Sequence, residues 1–354
     1  MKLHILRMKK IFFIIILFSS LAQALSPEEQ QPNETFPSYF SRITRGGAFP
    51  GIYLKAPDLF AEKFHTYIRK NFWMGPVQKT RDELIAKNYD LWFDVFRTEF
   101  PQKFIAFNDS FTGHIKNFCS ANLEFQKIEF KNWPLCLRRA WIEEVLFSQS
   151  SARNLAELYK LDLNDVRERT DLLLLNKKDF EAKLRAAGWG GPIYFRGATM
   201  PDPTNPKRRW ILLNDDFLKE YTGFEYRIFQ MLELAGIANH ELSHVMQDFL
   251  GQSLQLDIQV RSAEQALLIE GQAEFLSEES FAKTGLFFKL FAAEQAVEVV
   301  NREGNQAEFF PYSVGLPFVS TLYRTQPDSY KVTLELLGIL GNNADLGEYL
   351  RARF

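Results

Sequence analysis

Apolar residues recur three and four positions apart along much of this chain, and that spacing predicts amphipathic helices. The segments that show it before residue 188 are 58–72, 81–96, 138–147, 164–175 and 178–187. The pattern then changes, because a turn at 188–191 is followed by short apolar runs at 192–196 and 209–213 that predict strands. Helical spacing returns at about residue 224 and recurs at 267–276, 286–300 and 334–340. We therefore expect an α+β fold that is predominantly α-helical and contains a small sheet.

The change of pattern near residue 188 also predicts a division of the chain. Its 354 residues are enough for one large domain or two modest domains with sizeable cores. Residues 25–187 are expected to form a helical N-terminal domain. Residues 188–354 are expected to form a second domain, which contains the sheet.

The N-terminal residues have the three regions of a secretory signal peptide. Basic residues between Lys2 and Lys10 precede the apolar run 11–18, and a triplet of small and polar residues ends at Ala24. The apolar run is shorter than a membrane span, so we expect cleavage after Ala24; an uncleaved anchor is the alternative. No other stretch approaches eighteen consecutive apolar residues. The sequence therefore predicts a signal peptide over residues 1–24 and an exported protein, periplasmic or secreted, with no stable membrane span after cleavage.

Composition and cysteine count bear on the kind of partner and on the redox environment of the protein. The hydrophobic fraction of 46% and the charged fraction of 24% are ordinary for a globular protein. A net charge of −2 argues against a nucleic-acid partner. The two cysteines, Cys119 and Cys136, would both be exported, and an even count in an oxidising compartment predicts one disulfide. Such a bond is worth roughly 3 kcal/mol by loop entropy; two free buried thiols are the alternative.

The motif H-E-x-x-H at residues 240–244 is the strongest chemical signal in the sequence. Four residues advance an α-helix by roughly 400° and about 6 Å, so His240 and His244 can point ring nitrogens at one ion. Glu241 lies about 100° round the helix, where it suits proton transfer better than coordination. The preceding segment 224–238 is rich in helix formers and in apolar residues. The motif therefore predicts a zinc site on a buried helix; core histidines bonded to carbonyls are the alternative.

Carboxylates on a later helical segment are candidates for the third ligand that zinc needs. They are Glu264, Glu270, Glu274 and Glu278. The motif and the run 268–275 together resemble the gluzincin metallopeptidases, which include thermolysin-like and aminopeptidase N-like enzymes. In that group, H-E-x-x-H is completed by a glutamate on a later helix. The resemblance implies that His240, His244 and Glu270 bind one Zn²⁺ ion. Glu264, which is expected on the same helix as Glu270, is the fallback ligand.

Three further residues have predicted roles, and only that of Glu274 follows from the resemblance. Glu241 would take a proton from the water that zinc activates. Glu274, one turn beyond Glu270, would accept the second ring N–H of a histidine; a solvated carboxylate is the alternative. Tyr312 lies in the aromatic and proline-rich segment 309–318, which we expect to be a loop. It is a candidate donor to the developing oxyanion, and a packed proline turn is the alternative.

The resemblance finally implies that residues 188–354 form a zincin-like catalytic domain that hydrolyses peptide or protein substrates. The segment 197–202 is loosely similar to the amine-binding motif of aminopeptidases, but it contains no glutamate. We therefore expect a surface loop there and do not predict an aminopeptidase. The alternative function is an exported, non-catalytic zinc-binding scaffold or binding protein.

Overall fold

The structure of this chain is a computed structural model. It describes residues 75–87, 134–143, 146–147, 151–189, 193, 196–216, 227–258, 263–284, 310–342 and 349. All of them belong to one compact unit, Gly46–Phe354, whereas the other unit, Met1–Arg45, contains no described residue. The predicted signal peptide, the predicted helices 58–72 and 286–300, and Cys119 lie outside the described residues.

The described elements are mostly helices, as predicted. In chain order they are α1 (Leu135–Glu143), α2 (Ser151–Tyr159), α3 (Leu163–Glu168), β1 (Thr170–Leu175), α4 (Lys177–Ala186), β2 (Gly197–Asp202), β3 (Asn205–Asn214), α5 (Arg227–Ser253), α6 (Ala263–Thr284), α7 (Phe310–Arg324) and α8 (Ser329–Asn342). Residues 78–87 are also helical. Within the described part of the chain, no helix is both long enough and apolar enough to cross a membrane.

The sheet has three strands in the order β1-β3-β2, with β1 parallel and β2 antiparallel to β3. Strand β3 confirms the predicted strand at 209–213. The predicted helix 164–175 is wrong in its second half, because α3 ends at Glu168 and residues 170–175 form β1. Its run of four leucines fits a buried helix and a buried strand equally well by periodicity. Parallel pairing with β3 is the tertiary contact that selects the strand.

Strand β2 occupies the segment 197–202, so the surface loop expected there is wrong. It lies at the edge of the described sheet, where Pro201 is tolerated. Gly197 allows β2 to lie directly on α5, because a Cβ at this position would come within 2.5 Å of Ile237 Cγ2. The sheet is therefore held against the helix that carries the H-E-x-x-H motif.

Helix α7 occupies most of the segment 309–318, so the loop expected there is also wrong. Pro317 lies inside the helix, whereas Pro311 stands in its first turn, where a missing N–H is tolerated. The buried side chains of Val314, Leu316 and Phe318 hold α7 against the core.

Helices α6 and α7 cross in close contact at two glycines. A Cβ on Gly271 would lie 2.5 Å from the carbonyl carbon of Gly315, and a Cβ on Gly315 would lie 2.7 Å from the Leu267 oxygen. Only residues without a side chain permit this approach. The crossing places the first turn of α7 beside the segment of α6 that contains Glu270.

A buried polar cluster joins α5 to α2 and α6. Asn239 accepts a hydrogen bond from Ser151 Oγ at 2.6 Å, and its amide nitrogen lies 2.7 Å from Ser277 Oγ and 2.9 Å from Ser280 Oγ. Asn239 is fully buried and immediately precedes the motif. Because α2 precedes residue 188, these bonds cross the predicted domain boundary, as does the pairing of β1 with β3.

Candidate metal centre

Three side chains from two helices converge on one point. His240 and His244 lie one turn apart on α5, and their Nε2 atoms are 3.0 Å from each other. Glu270 Oε2, from α6, lies 3.2 Å from His240 Nε2 and 3.1 Å from His244 Nε2. Among the described residues, these three form the group of histidines and carboxylates arranged to hold a metal ion. The structure therefore brings together the three ligands predicted from the sequence.

The second ring nitrogen of each histidine has its own partner. His240 Nδ1 lies 2.9 Å from Glu274 Oε2, which is the position predicted for Glu274. The contact is an ion-pair distance without good hydrogen-bond alignment. His244 Nδ1 lies 2.7 Å from Gln247 Oε1. Each ring thus has a side chain at its Nδ1 atom, and the Nε2 atoms of both rings face Glu270.

The charges of the group are strongly coupled. Burial lowers the pKa of His240, but Glu270 and Glu274 outweigh it and raise that pKa well above its ordinary value. Burial likewise opposes the charge on His244, whose pKa Glu270 raises. Burial raises the pKa of Glu270, yet the two imidazoles outweigh burial and hold that pKa far below its usual range. The site is therefore one in which a carboxylate stays ionised and attracts positive charge.

Glu241 is buried and lies against strand β2. Its Oε2 is 3.0 Å from Thr199 Oγ1, and the same hydroxyl is 2.8 Å from the Glu241 backbone oxygen. A Cβ on Gly197 would come within 2.8 Å of Glu241 Oε1, so the missing side chain leaves room for this carboxylate. Burial raises the pKa of Glu241, while His244 and His240 act against it. The Glu241 carboxylate is therefore separate from the three converging side chains, and its raised pKa favours its protonated form.

Tyr312 lies at the edge of the same site. Its ring centroid is 5.6 Å from that of His240, and its side chain is half-buried in the first turn of α7. The close crossing at Gly271 and Gly315 sets this position. The structure thus places Tyr312 near the group, as a donor to substrate would need to be.

Two of the other predicted groups are not tested by the structure. Cys136 is exposed and has no disulfide partner among the described residues, and Cys119 lies outside them, so the disulfide stays a prediction. The side chain of Glu264 is likewise not described. A small cavity of about 150 Å³ is lined by residues of α1, β1 and β3, including Arg139, and shares no residue with the metal group.

Sequence reasoning missed Thr199 and the partners of His244. Gln247 could have been found from its spacing, because a residue three positions after His244 lies on the same helix face. Gln272 and Thr199 could not, because they reach the site through the packing of α6 and β2 against α5.

No protein family, no curated protein and no solved structure matches this chain. The site is a group of two histidines and one glutamate on two packed helices, with a second acidic side chain, Glu241, buried beside it.

Proposed function

We propose that this chain is an exported zinc-dependent metallopeptidase in which His240, His244 and Glu270 bind one Zn²⁺ ion. The observation that carries the proposal is the convergence of two imidazole nitrogens and one carboxylate oxygen within 3.0 to 3.2 Å of one another. Three protein ligands are typical of catalytic zinc, whereas structural zinc sites have four.

The spacing of the three atoms fits the ion. Zinc bonds to nitrogen and oxygen are about 2.1 Å long, so neighbouring ligand atoms of a tetrahedral site lie about 3.4 Å apart. The observed separations are shorter than this by only a few tenths of an ångström. Both Nε2 atoms face the Glu270 carboxylate, so each could direct a lone pair at the same ion once it has lost its proton. Three converging electron-pair donors repel one another unless protons or a metal ion lie between them, so a bound Zn²⁺ would stabilise this arrangement.

Each remaining side chain has one role in the proposed reaction. When bound, zinc activates a water molecule and polarises the carbonyl of the substrate. Glu241 accepts the proton of that water and later gives it to the leaving amine. The burial that raises the pKa of Glu241 favours a carboxyl that can hold a proton transiently. Thr199 orients the carboxylate, and the Tyr312 hydroxyl donates to the negative charge that develops on the substrate oxygen.

A peptide is the substrate that the neighbouring strand favours. Strand β2 lies at the edge of the described sheet, and its Thr199 contacts the proposed base. An extended peptide can add to such an edge through main-chain hydrogen bonds, which would place a scissile bond near Glu241. Export, periplasmic or secreted, is part of the proposal and rests on the signal sequence at residues 1–24.

Two substitutions test the proposal. Glu241→Gln keeps the shape of the side chain and should keep near-stoichiometric zinc while losing cleavage of a mixed peptide library. Glu270→Ala should lose both. Glu264→Ala, at the start of the same helix, tests the fallback ligand and should keep both.

Metal analysis beside a cleavage assay separates the alternatives. Zinc binding in the wild type with no cleavage of any peptide would favour the non-catalytic scaffold. If Glu270→Ala retains zinc and activity, the assignment of the third ligand is wrong.

A further inference from the structure

We propose that a chain of side-chain hydrogen bonds from α5 to α8 keeps a proton on Nδ1 of His244 and so leaves Nε2 as the nitrogen that binds a metal ion. Gln247, Gln272 and Tyr323 are then positioning residues, because they act on the ion only through His244. The effect of this arrangement on zinc binding rests on the proposed function. The proton position itself does not, because it follows from hydrogen bonds within the chain.

The chain begins at His244 and passes through four buried side chains. His244 Nδ1 lies 2.7 Å from Gln247 Oε1, and Gln247 Nε2 lies 3.0 Å from Gln272 Oε1. Gln272 Nε2 lies 3.0 Å from the Tyr323 hydroxyl, which lies 2.8 Å from Thr333 Oγ1. All four side chains beyond His244 are at most 5% exposed, so water does not compete for these bonds.

Two backbone carbonyls fix the direction of every bond in the chain, because a carbonyl oxygen can only accept. The first carbonyl is that of Ile269, which lies 2.9 Å from the Gln247 amide. The atom of Gln247 that faces it must therefore be the nitrogen. Its oxygen then faces His244, and only a protonated Nδ1 can donate to it.

The second carbonyl is that of Ser329, and it fixes the same bond directions from the other end of the hydrogen-bond chain. Thr333 Oγ1 lies 3.2 Å from the Ser329 oxygen and must donate to it, so its bond with Tyr323 is donated by the tyrosine. The tyrosine hydroxyl has no second proton and must accept from Gln272. The oxygen of Gln272 consequently faces Gln247 and accepts from its nitrogen.

The consequence is that His244 keeps a proton on Nδ1. Its Nε2 faces Glu270, so Nε2 is the nitrogen that can lose its proton and bind a metal ion. A lone pair on Nδ1 would instead lie against the oxygen of Gln247. Turning that amide over would set its oxygen against the Ile269 carbonyl. A charged group, Glu274, lies beside Nδ1 of His240. Gln247 contacts Nδ1 of His244 without adding another negative charge.

The proton position can be measured directly by ¹⁵N NMR of the histidine rings in the zinc-free full chain. His244 should show a protonated Nδ1 whose proton exchanges slowly with solvent, because the buried Gln247 oxygen accepts from it. Gln247→Met, which is similar in length but has no amide oxygen to accept that proton, should abolish the slow exchange. A wild-type His244 with an unprotonated Nδ1 would overturn the proposal.

Zinc affinity, measured by competition with a chelator, gives the second readout. Gln247→Met should weaken binding about 10- to 100-fold, the usual effect of losing a partner of a metal-bound histidine. Tyr323→Phe keeps the ring and should weaken it less, because the Ile269 carbonyl still orients Gln247. Gln252→Met, an exposed glutamine on the same helix, is the matched control and should leave zinc affinity and the ring signals unchanged.

The two proposals fail in different ways. A wild type that shows the Nδ1–H tautomer but binds no zinc would refute the proposed function and leave the hydrogen-bond chain intact. A wild type that binds zinc through Nδ1 of His244 would refute the hydrogen-bond chain and leave the metal site intact. If Gln247→Met does not fold, Tyr323→Phe decides, because a purely structural role would lower its stability without changing zinc affinity.

Discussion

Replacing Gly271 with alanine should separate α6 from α7 and disturb the candidate site. The added Cβ would lie 2.5 Å from the carbonyl carbon and oxygen of Gly315 and 2.8 Å from its Cα. Ordinary contacts between such atoms are about 3.5 Å. Because the obstacle is backbone rather than a mobile side chain, one helix must move by about 1 Å. That movement would displace Glu270, which immediately precedes Gly271 on α6, or Tyr312 on α7.

Two opposing terms set the size of the effect. Overpacking a well-packed contact costs about 1–3 kcal/mol, and a backbone collision belongs at the upper end of that range. Alanine is better than glycine in a helix by up to about 1 kcal/mol. We therefore expect Gly271→Ala to lower the free energy of unfolding by about 2 kcal/mol.

Gly338→Ala is the matched control for this prediction. Gly338 is inside helix α8, and a Cβ built there meets no atom within 4 Å. This variant should be more stable than the wild type by about 0.5–1 kcal/mol. Urea denaturation of the zinc-free proteins measures both changes. If Gly271→Ala were stabilised as much as Gly338→Ala, the close crossing of α6 and α7 would be refuted.

Four further predictions can be checked on the same protein. Asn239→Ala should lower the free energy of unfolding by about 2–3 kcal/mol, because it leaves buried hydroxyls without partners; an unchanged urea midpoint would contradict this. Burial raises the pKa of Tyr323 from 10.0 to about 12, so the unfolded chain ionises first. The stability that Tyr323 contributes is therefore present below about pH 10 and should be lost, by about 3 kcal/mol, as the pH rises to about 12. Tyr323→Phe should remove this part of the alkaline loss, whereas Tyr159, whose pKa burial also raises, keeps its own part. N-terminal sequencing of the exported protein should find Leu25 as the first residue. Thiol titration of the unfolded, unreduced chain should detect no free thiol, because Cys119 and Cys136 are bonded to each other.

The metal group was predictable because it depends on one short-range rule and one resemblance. The helical repeat alone places His240 beside His244 and sets Glu241 apart from both. The resemblance supplied Glu270 and Glu274, which the structure places at the two nitrogens of His240. What the sequence could not supply was the contact of Glu241 with Thr199, because that contact depends on how β2 packs against α5.

The errors in the fold share a physical cause, which is that tertiary contacts overrode local signals. The leucines of β1 and the prolines of α7 both gave a local pattern that favours another structure. Pairing with β3 turned the first into a strand. For the second, Pro311 stands where a helix needs no N–H, and the buried apolar face keeps the helix continuous through Pro317.

Three glycines also restrict how this chain can diverge in evolution. At Gly197, Gly271 and Gly315, even a methyl group would strike a neighbouring segment. A descendant that keeps this backbone must keep glycine at positions 271 and 315, where the obstacle is backbone, and can lose it at position 197 only if Ile237 and Glu241 also move. Apolar residues around these positions can be exchanged for others of similar volume. Distant relatives should therefore be easier to recognise by these glycines together with the H-E-x-x-H motif than by overall sequence identity.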